Sequence, residues 1–206
     1  LGDIDDDVER KLARYLRATQ EKHGGWPLYH HGDFNMSASV KAYYALKMVG
    51  DDPNAPHMIR AREAILAAGG AAKANVFTRI TLALFEQVPW RSVPVMRVEA
   101  LLLPKWAPFH MDKVSYWSRC VIVPLLVIFA RKPVVDLVPK NGVSELFLSD
   151  PAWLKNLDFF QKGQLLKNCF IALDRFLKVL DPLVPRFIRD RAVNLASKWM
   201  REHTKG

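Results

Sequence analysis

Cysteine is scarce: Cys120 and Cys169 are the only thiols in 206 residues, and each sits in an apolar stretch. That excludes a disulfide-held secreted scaffold and predicts buried free thiols, as suits a reducing compartment. Long hydrophobic runs are missing too. The most apolar stretch, within Trp117–Ala130, centres on Cys120–Ala130, carries Pro124 and is flanked by Arg119 and Arg131. A spanning helix needs about 20 apolar residues, so this one is expected to be a buried core helix. No phosphate-binding glycine loop and no nucleophile elbow occur. His30–His31 lie in a predicted turn without Cys, Asp or a further His at ligand spacing, and the other histidines are scattered; neither a metal nor a cofactor is expected. No signal peptide opens the chain, because Leu1–Gly2–Asp3 runs directly into acidic residues. Leu1 in place of Met suggests that the first part of a longer chain is missing.

What is present is helix-forming and basic. Half of the residues are hydrophobic and a quarter charged, with a net charge of +9. The charge is uneven: residues 1–50 balance at seven basic and seven acidic side chains, whereas residues 151–206 carry eleven and five. Such asymmetry suits an anionic surface, nucleic acid or a solvated face. Val8, Leu12, Tyr15 and Leu16 mark an amphipathic helix over 6–19. Gly24–Gly25–Trp26–Pro27 breaks it, and Ser37 or Ser39 is the expected cap of the next helix. Gly50–Asp51–Asp52–Pro53 ends that one, Pro56 opens another to about residue 68, and a further helix covers about 75–87. Residues 88–112 form an irregular, apolar-studded loop with four prolines, 134–151 an extended linker, and 152–203 helix again, broken at Asp181–Pro182 and Pro185. Amphipathic helices alternate with apolar ones and no strand ladder is evident. The prediction is an all-α fold of helical hairpins with an outer and an inner ring, an α/α barrel or toroid.

One spacing carries chemistry of its own. Tyr15–Leu16, Gln20, Gly24 and Trp26 have the arrangement of a QW repeat. The glutamine ends a helix and can bond a neighbour's backbone, the glycine permits a tight turn, and the tryptophan folds back over the glutamine. The segments GGWPLYHHGDFNMSASVKAYYALKMVGDDPNAPHM, GGAAKANVFTRITLALF and VPWRSVPVMRVEALLLPKWAPFHMDKVSYWSRCVIVPLL follow. Together they resemble the squalene–hopene cyclase family, closely over about residues 1–135 and more loosely beyond. Trp199–Met200, Thr204 and Lys205–Gly206 resemble a second, degenerate repeat cut off at its glycine. The pattern departs from the family at Arg97, where a proline is expected, and at His30–His31, where Pro–Gly is usual.

The resemblance implies that residues 1–206 are part of the N-terminal α/α-barrel domain of a monotopic, cofactor-free bacterial triterpene cyclase, an isomerase that converts squalene to hopene. The barrel would be incomplete, and the piece alone inactive. It further implies a dry cavity whose aromatic faces steady carbocations. On family positions, Trp117 and Phe77 would line that cavity, with Val114 and Ile122 near the constriction through which substrate enters. The plain alternative is that Phe77 and Trp117 are core aromatics. The family's acid motif is DxDD, and Asp3–Ile4–Asp5–Asp6–Asp7 matches it as text. Its place before an amphipathic helix instead predicts capping and dipole pairing, so no catalytic residue is assigned.

Within a segment of about residues 152–190, residues 159–188 mix bulky apolar side chains with Lys162, Lys167, Arg175, Lys178 and Arg186. This is the composition of an interfacial helix, or of a helix packed on the barrel with a solvated basic face. With the resemblance, the segment is expected to meet the cytoplasmic membrane surface through Phe176, Leu177, Leu180, Leu183 and Val184. Nucleic acid is the weaker partner because no binding motif accompanies the charges. A homodimer would be possible in the parent enzyme. Arg79 and Arg119 are expected to pair with carboxylates such as Glu99. The competing identities are an oxidosqualene or other polyprenyl cyclase, and a non-enzymatic lipid-binding helical protein.

Overall fold

The computed structural model describes residues 5–107, 110–135, 142–150 and 163–203, and among them every regular element is helical. The α-helices are α1 (Asp6–Ala18), α2 (Met36–Val49), α3 (Pro56–Ala67), α4 (Val76–Leu84), α5 (Tyr116–Arg131), α6 (Leu165–Leu180) and α7 (Arg186–His203). Short 3-10 turns fill the irregular stretch at Trp90–Ser92, Val98–Leu102 and Met111–Lys113. The chain divides into two compact units, Leu1–Val93 with Val134–Leu157, and Pro94–Pro133 with Asp158–Gly206.

In the first unit, helix starts follow side chains that satisfy free backbone N–H groups. Asp5 caps α1 by accepting from Asp7 N and Val8 N, and Asp6 and Asp7 lie in the first turn, where the helix dipole favours them; Asp3 and Ile4 lie outside the described residues. Asn35 caps α2, not Ser37 or Ser39. Those serines lie inside the helix, buried, and serve as bridges: Ser37 Oγ accepts from Asn75 N and Ser39 Oγ from Trp26 N. Gly50, at φ +103°, stops α2 with the left-handed turn that glycine adopts without steric cost. Pro56 stands at the first position of α3, where a missing N–H loses nothing. The helix over 75–87 ends early, at Leu84, because Phe85–Gln87 turn back and Gln87 N donates to Leu82 O.

Helix α2 is the centre of this unit and packs against α1, α3 and α4. It buries Val40, Tyr43 and Leu46, alongside Met58 and Ile65 of α3 and Leu82 of α4. The segment 142–150 is tied to it by charge. Tyr43 Oη donates to Glu145 Oε1 at 3.0 Å, and Lys47 forms an ion pair with the same carboxylate. Burial opposes ionisation of Glu145, but the Lys47 and Tyr43 hydrogen bonds outweigh it and hold the carboxyl below its ordinary range.

The second unit has its own core of Val98, Val123, Leu126, Ala192, Val193 and Ala196. Ala192 and Ala196 lack bulk, so α7 can approach α5 closely. The expectation of a buried core helix at α5 needs correction. Only Val123, Leu126 and Phe129 are buried, a single stripe, while Tyr116, Trp117 and Val121 are exposed. The thiols are corrected as well: Cys120 is half-buried and Cys169 exposed. No helix among the described residues is long and apolar enough to cross a membrane.

Candidate functional site

The QW residues come together at the C-terminal end of α1. Trp26 is 4% exposed, and its Nε1 donates at 2.8 Å to Leu16 O, one of the carbonyls that α1 leaves without a helical partner. Gln20 Nε2 donates to Gly24 O at 2.7 Å and across to His57 O, in the first turn of α3, at 2.8 Å. Its Oε1 accepts from Arg60 Nη2 at 2.9 Å, so every polar atom of the amide faces a partner. Gly24 has φ +86°, and a Cβ there would lie 2.7 Å from Arg60 O. Any other residue would meet both backbone strain and a clash. Tyr15 remains exposed, although its carbonyl accepts from Thr19.

Three residues outside the repeat extend this clasp. Arg17 Nε donates to Asp51 Oδ2 at 2.9 Å, and His57 Nε2 lies 2.6 Å from the same oxygen. The Arg17 hydrogen bond, joined by that of His57, holds the Asp51 carboxyl below its ordinary range despite burial. Nothing in the sequence singled out this trio, because its members stand 34 and 6 residues apart in no repeating pattern. Beside the clasp opens a groove of about 830 Å³ lined by Tyr15, Leu28, Tyr29, His31 and Lys41, among others. None of the residues expected to line a cavity belongs to it. His31 pairs with Glu21 at 3.3 Å and has φ +57°, the left-handed region that the glycine expected there would occupy without strain.

The four residues expected around a substrate cavity fall in two places. Phe77, on the first turn of α4, belongs to the first unit and is 54% exposed. Trp117, Val114 and Ile122 belong to the second unit. Trp117 projects from the first turn of α5 and is 82% exposed, Val114 is half-buried, and Ile122 packs against the core. Phe77 and Trp117 are therefore not core aromatics of this chain. Next to Trp117, the Tyr116 ring lies 6.4 Å from Trp199 and 5.9 Å from His203, and His203 stacks on Trp199 at 4.3 Å.

Helix α6 faces opposite to the usual sense. At about 100° per residue, Asp174, Lys178 and Asp181 share one edge, while Leu165, Cys169, Phe176, Val179 and Leu183 lie across from it. From Asp174 onward the charged edge is the covered one, whereas Phe170 on the same edge one turn earlier is 59% exposed. Asp174 Oδ1 accepts from Val95 N at 2.6 Å, and Lys178 closes on Asp174 at 2.8 Å. Asp181 accepts from Lys132 and Arg189, both at 2.8 Å, and Arg189 reaches Glu99 at 3.1 Å. Burial opposes the charge on Asp181, but Lys132 and Arg189 prevail and its carboxyl stays below its ordinary range. The apolar edge is open, with Phe176 59% and Leu183 71% exposed. Among the described side chains of α6 only Ile171 is buried, which contributes about 1.5–3 kcal/mol to holding the helix.

Several expectations change here. Of the five residues expected to face a membrane, Phe176 and Leu183 are exposed, while Leu177, Leu180 and Val184 are half-buried. Of the cations expected to reach headgroups, Lys178 is paired on the covered edge, Arg175 is half-buried and Arg186 is exposed, while Lys162 and the Lys167 side chain lie outside the described residues. Residues 152–162 of the expected segment, and Thr204–Gly206 of the degenerate second repeat, lie outside the described residues. Glu99 is engaged by Arg189 and, at 3.5 Å, by Arg97, and Arg119 faces Asp112 instead. Among the described residues no group of His, Cys, Asp and Glu could hold a metal.

Comparison with known proteins fixes the family. The family described as the squalene-hopene cyclase N-terminal domain matches residues 1–206. A squalene–hopene cyclase of Bradyrhizobium diazoefficiens is 49% identical over 98% of this chain, which covers 31% of that protein. One from Zymomonas mobilis is 46% identical over the whole chain, again covering 31% of the relative. A dammaradiene synthase of Dryopteris crassirhizoma is 32% identical over 98% of the chain and 29% of its own length. The chain thus spans about a third of the length of the curated relatives it matches. The clasp of α1 on α3, the all-helical build and the match across all 206 residues have one reading: the chain belongs to the squalene–hopene cyclase N-terminal domain family.

Proposed function

We propose that these residues serve a squalene–hopene cyclase, in which squalene is closed to hopene by a cofactor-free cationic cascade, and that they supply aromatic wall and lipid attachment. The product assignment is favoured by relatives: those 46–49% identical are named squalene–hopene cyclases, whereas the dammaradiene synthase is 32% identical. The observation that carries the wall is the open indole of Trp117 on the first turn of α5, a helix whose stretch from Val121 to Ala130 is wholly apolar. An uncovered aromatic face attracts positive charge by about 0.5–2 kcal/mol and offers no lone pair to trap a carbocation. Phe77 offers a second such face. Neither residue donates the starting proton, and Asp5, which caps α1, does not either.

Lipid attachment is supported by α6. Its outward edge from Leu165 to Val179 is apolar, and Asp174 and Lys178 are paired with each other on the covered edge. The partner we assign is one leaflet at the cytoplasmic face of a bacterial membrane, met by insertion of side chains rather than by a spanning helix. Trp117→Ala in an active cyclase containing these residues tests the wall. Turnover is expected to fall about 2- to 30-fold, with prematurely quenched products, and Trp117→Phe is expected to recover most of it. Unchanged turnover and product distribution in Trp117→Ala would refute the assignment.

A further inference from the structure

Arg97 stands where the family resemblance leads one to expect a proline, and its guanidinium does something a proline cannot. The side chain is largely covered, its Nη1 donates to Leu177 O at 3.4 Å, and its Nε lies 3.5 Å from Glu99 Oε2. Leu177 begins the last turn of α6, where carbonyls lack helical partners and the helix dipole presents its negative end. A cation placed there caps the helix and opposes its fraying. Glu99 passes the tie onward to Arg189, which bonds the side chain and carbonyl of Asp181, and Asp181 also holds Lys132. With Asp174 bound to Val95 N, the body grips α6 at Asp174, Leu177 O and Asp181, all on one edge.

We propose that Arg97 is a positioning residue: it caps α6 and anchors the polar seam that fixes the rotation of this helix with its apolar edge outward. The reason is geometric. Since Ile171 is the only buried side chain described on α6, apolar packing alone does not choose which edge faces out. The seam does choose, because its positions lie about half a turn from Leu165, Cys169, Phe176 and Leu183. What the outward edge meets rests on the lipid-facing reading of α6. The rotation itself does not.

The test is made on the full chain. In Arg97→Gln, amide exchange over residues 174–180 is expected to rise on the order of tenfold while α2 and α7 keep their protection. Arg97→Lys is expected to restore part of the protection, since it returns the charge without the planar fork. Unchanged exchange in α6, or a rise shared equally by α2 and α7, would overturn the role of Arg97. Sedimentation with neutral phosphatidylcholine vesicles reads the other question separately. Phe176→Asp is expected to cut binding at least about tenfold. If it does not, the lipid-facing reading fails and the exchange result still judges Arg97.

Discussion

Helices α2 and α6 are similar in length and apolar content, yet one is the centre of a core and the other is nearly bare. Helix α2 buries Ser37, Ser39, Val40, Ala42, Tyr43, Tyr44 and Leu46, and its polar residues are drawn inward as bridges to Trp26, Asn75 and Glu145. On α6 only Ile171 is buried among the described side chains, and the polar residues form the attachment. Apolar content therefore does not tell which edge of a helix is covered. The partners of its few charged residues do. In α2 the hydrophobic effect sets the orientation and hydrogen bonds refine it; in α6 hydrogen bonds and ion pairs hold the helix, and the apolar edge is left exposed.

Deletions on the two helices should differ sharply. Leu46→Ala removes a fully buried side chain from α2 and should cost about 2–5 kcal/mol, read from the urea unfolding midpoint. A cost below about 1 kcal/mol would mean that α2 is not the centre of its unit. The next effect concerns charge at the clasp. Asp51 has an ordinary value of 3.8 and is held lower in the folded chain by Arg17 and His57. Its contribution is present above pH 3.8 and is lost as pH falls through the depressed folded-state value. Wild type should lose stability more steeply than Asp51→Asn between pH 5 and pH 2, and parallel curves would remove Asp51 from the account.

A smaller change is expected at His31. Replacing it by glycine relieves a left-handed backbone at φ +57° and should raise stability by about 1 kcal/mol in the same measurement, less the weak exposed pair with Glu21. The smallest belongs to α6. Phe176→Ala removes a large side chain that the fold does not bury, and should shift the midpoint by less than about 0.5 kcal/mol. A loss comparable to that of Leu46→Ala would erase the contrast between the two helices.

Much of the fold was legible because its signals are local. Gly24, Gly50 and Pro56 mark turns and starts through backbone conformation alone, and the spacing of Gln20 and Trp26 announces the clasp. The cap of α2 was misplaced by two to four residues because serine serves equally well as cap or as buried bridge, and only Trp26 and Asn75 decide which. The charges of residues 159–188 suggested a basic face, but Lys178 lies one turn from Asp174 and is spent on it, an i,i+4 signal that was present in the sequence. Arg97, Glu99, Arg189 and Asp181 come from segments some 80 residues apart, and pairing at that distance leaves no periodic trace. For the same reason Glu99 was given the wrong partners.

The most direct test of the central claim, that the bare edge of α6 is a lipid-contacting surface, uses a residue already in place. Cys169 lies on that edge and is exposed, whereas Cys120 is half-buried. With Cys120 replaced by serine, an environment-sensitive fluorophore on Cys169 should shift to the blue when phosphatidylcholine vesicles are added, and should be quenched by nitroxides carried on the acyl chains. Emission that stays at its aqueous wavelength, untouched by those nitroxides, would contradict it.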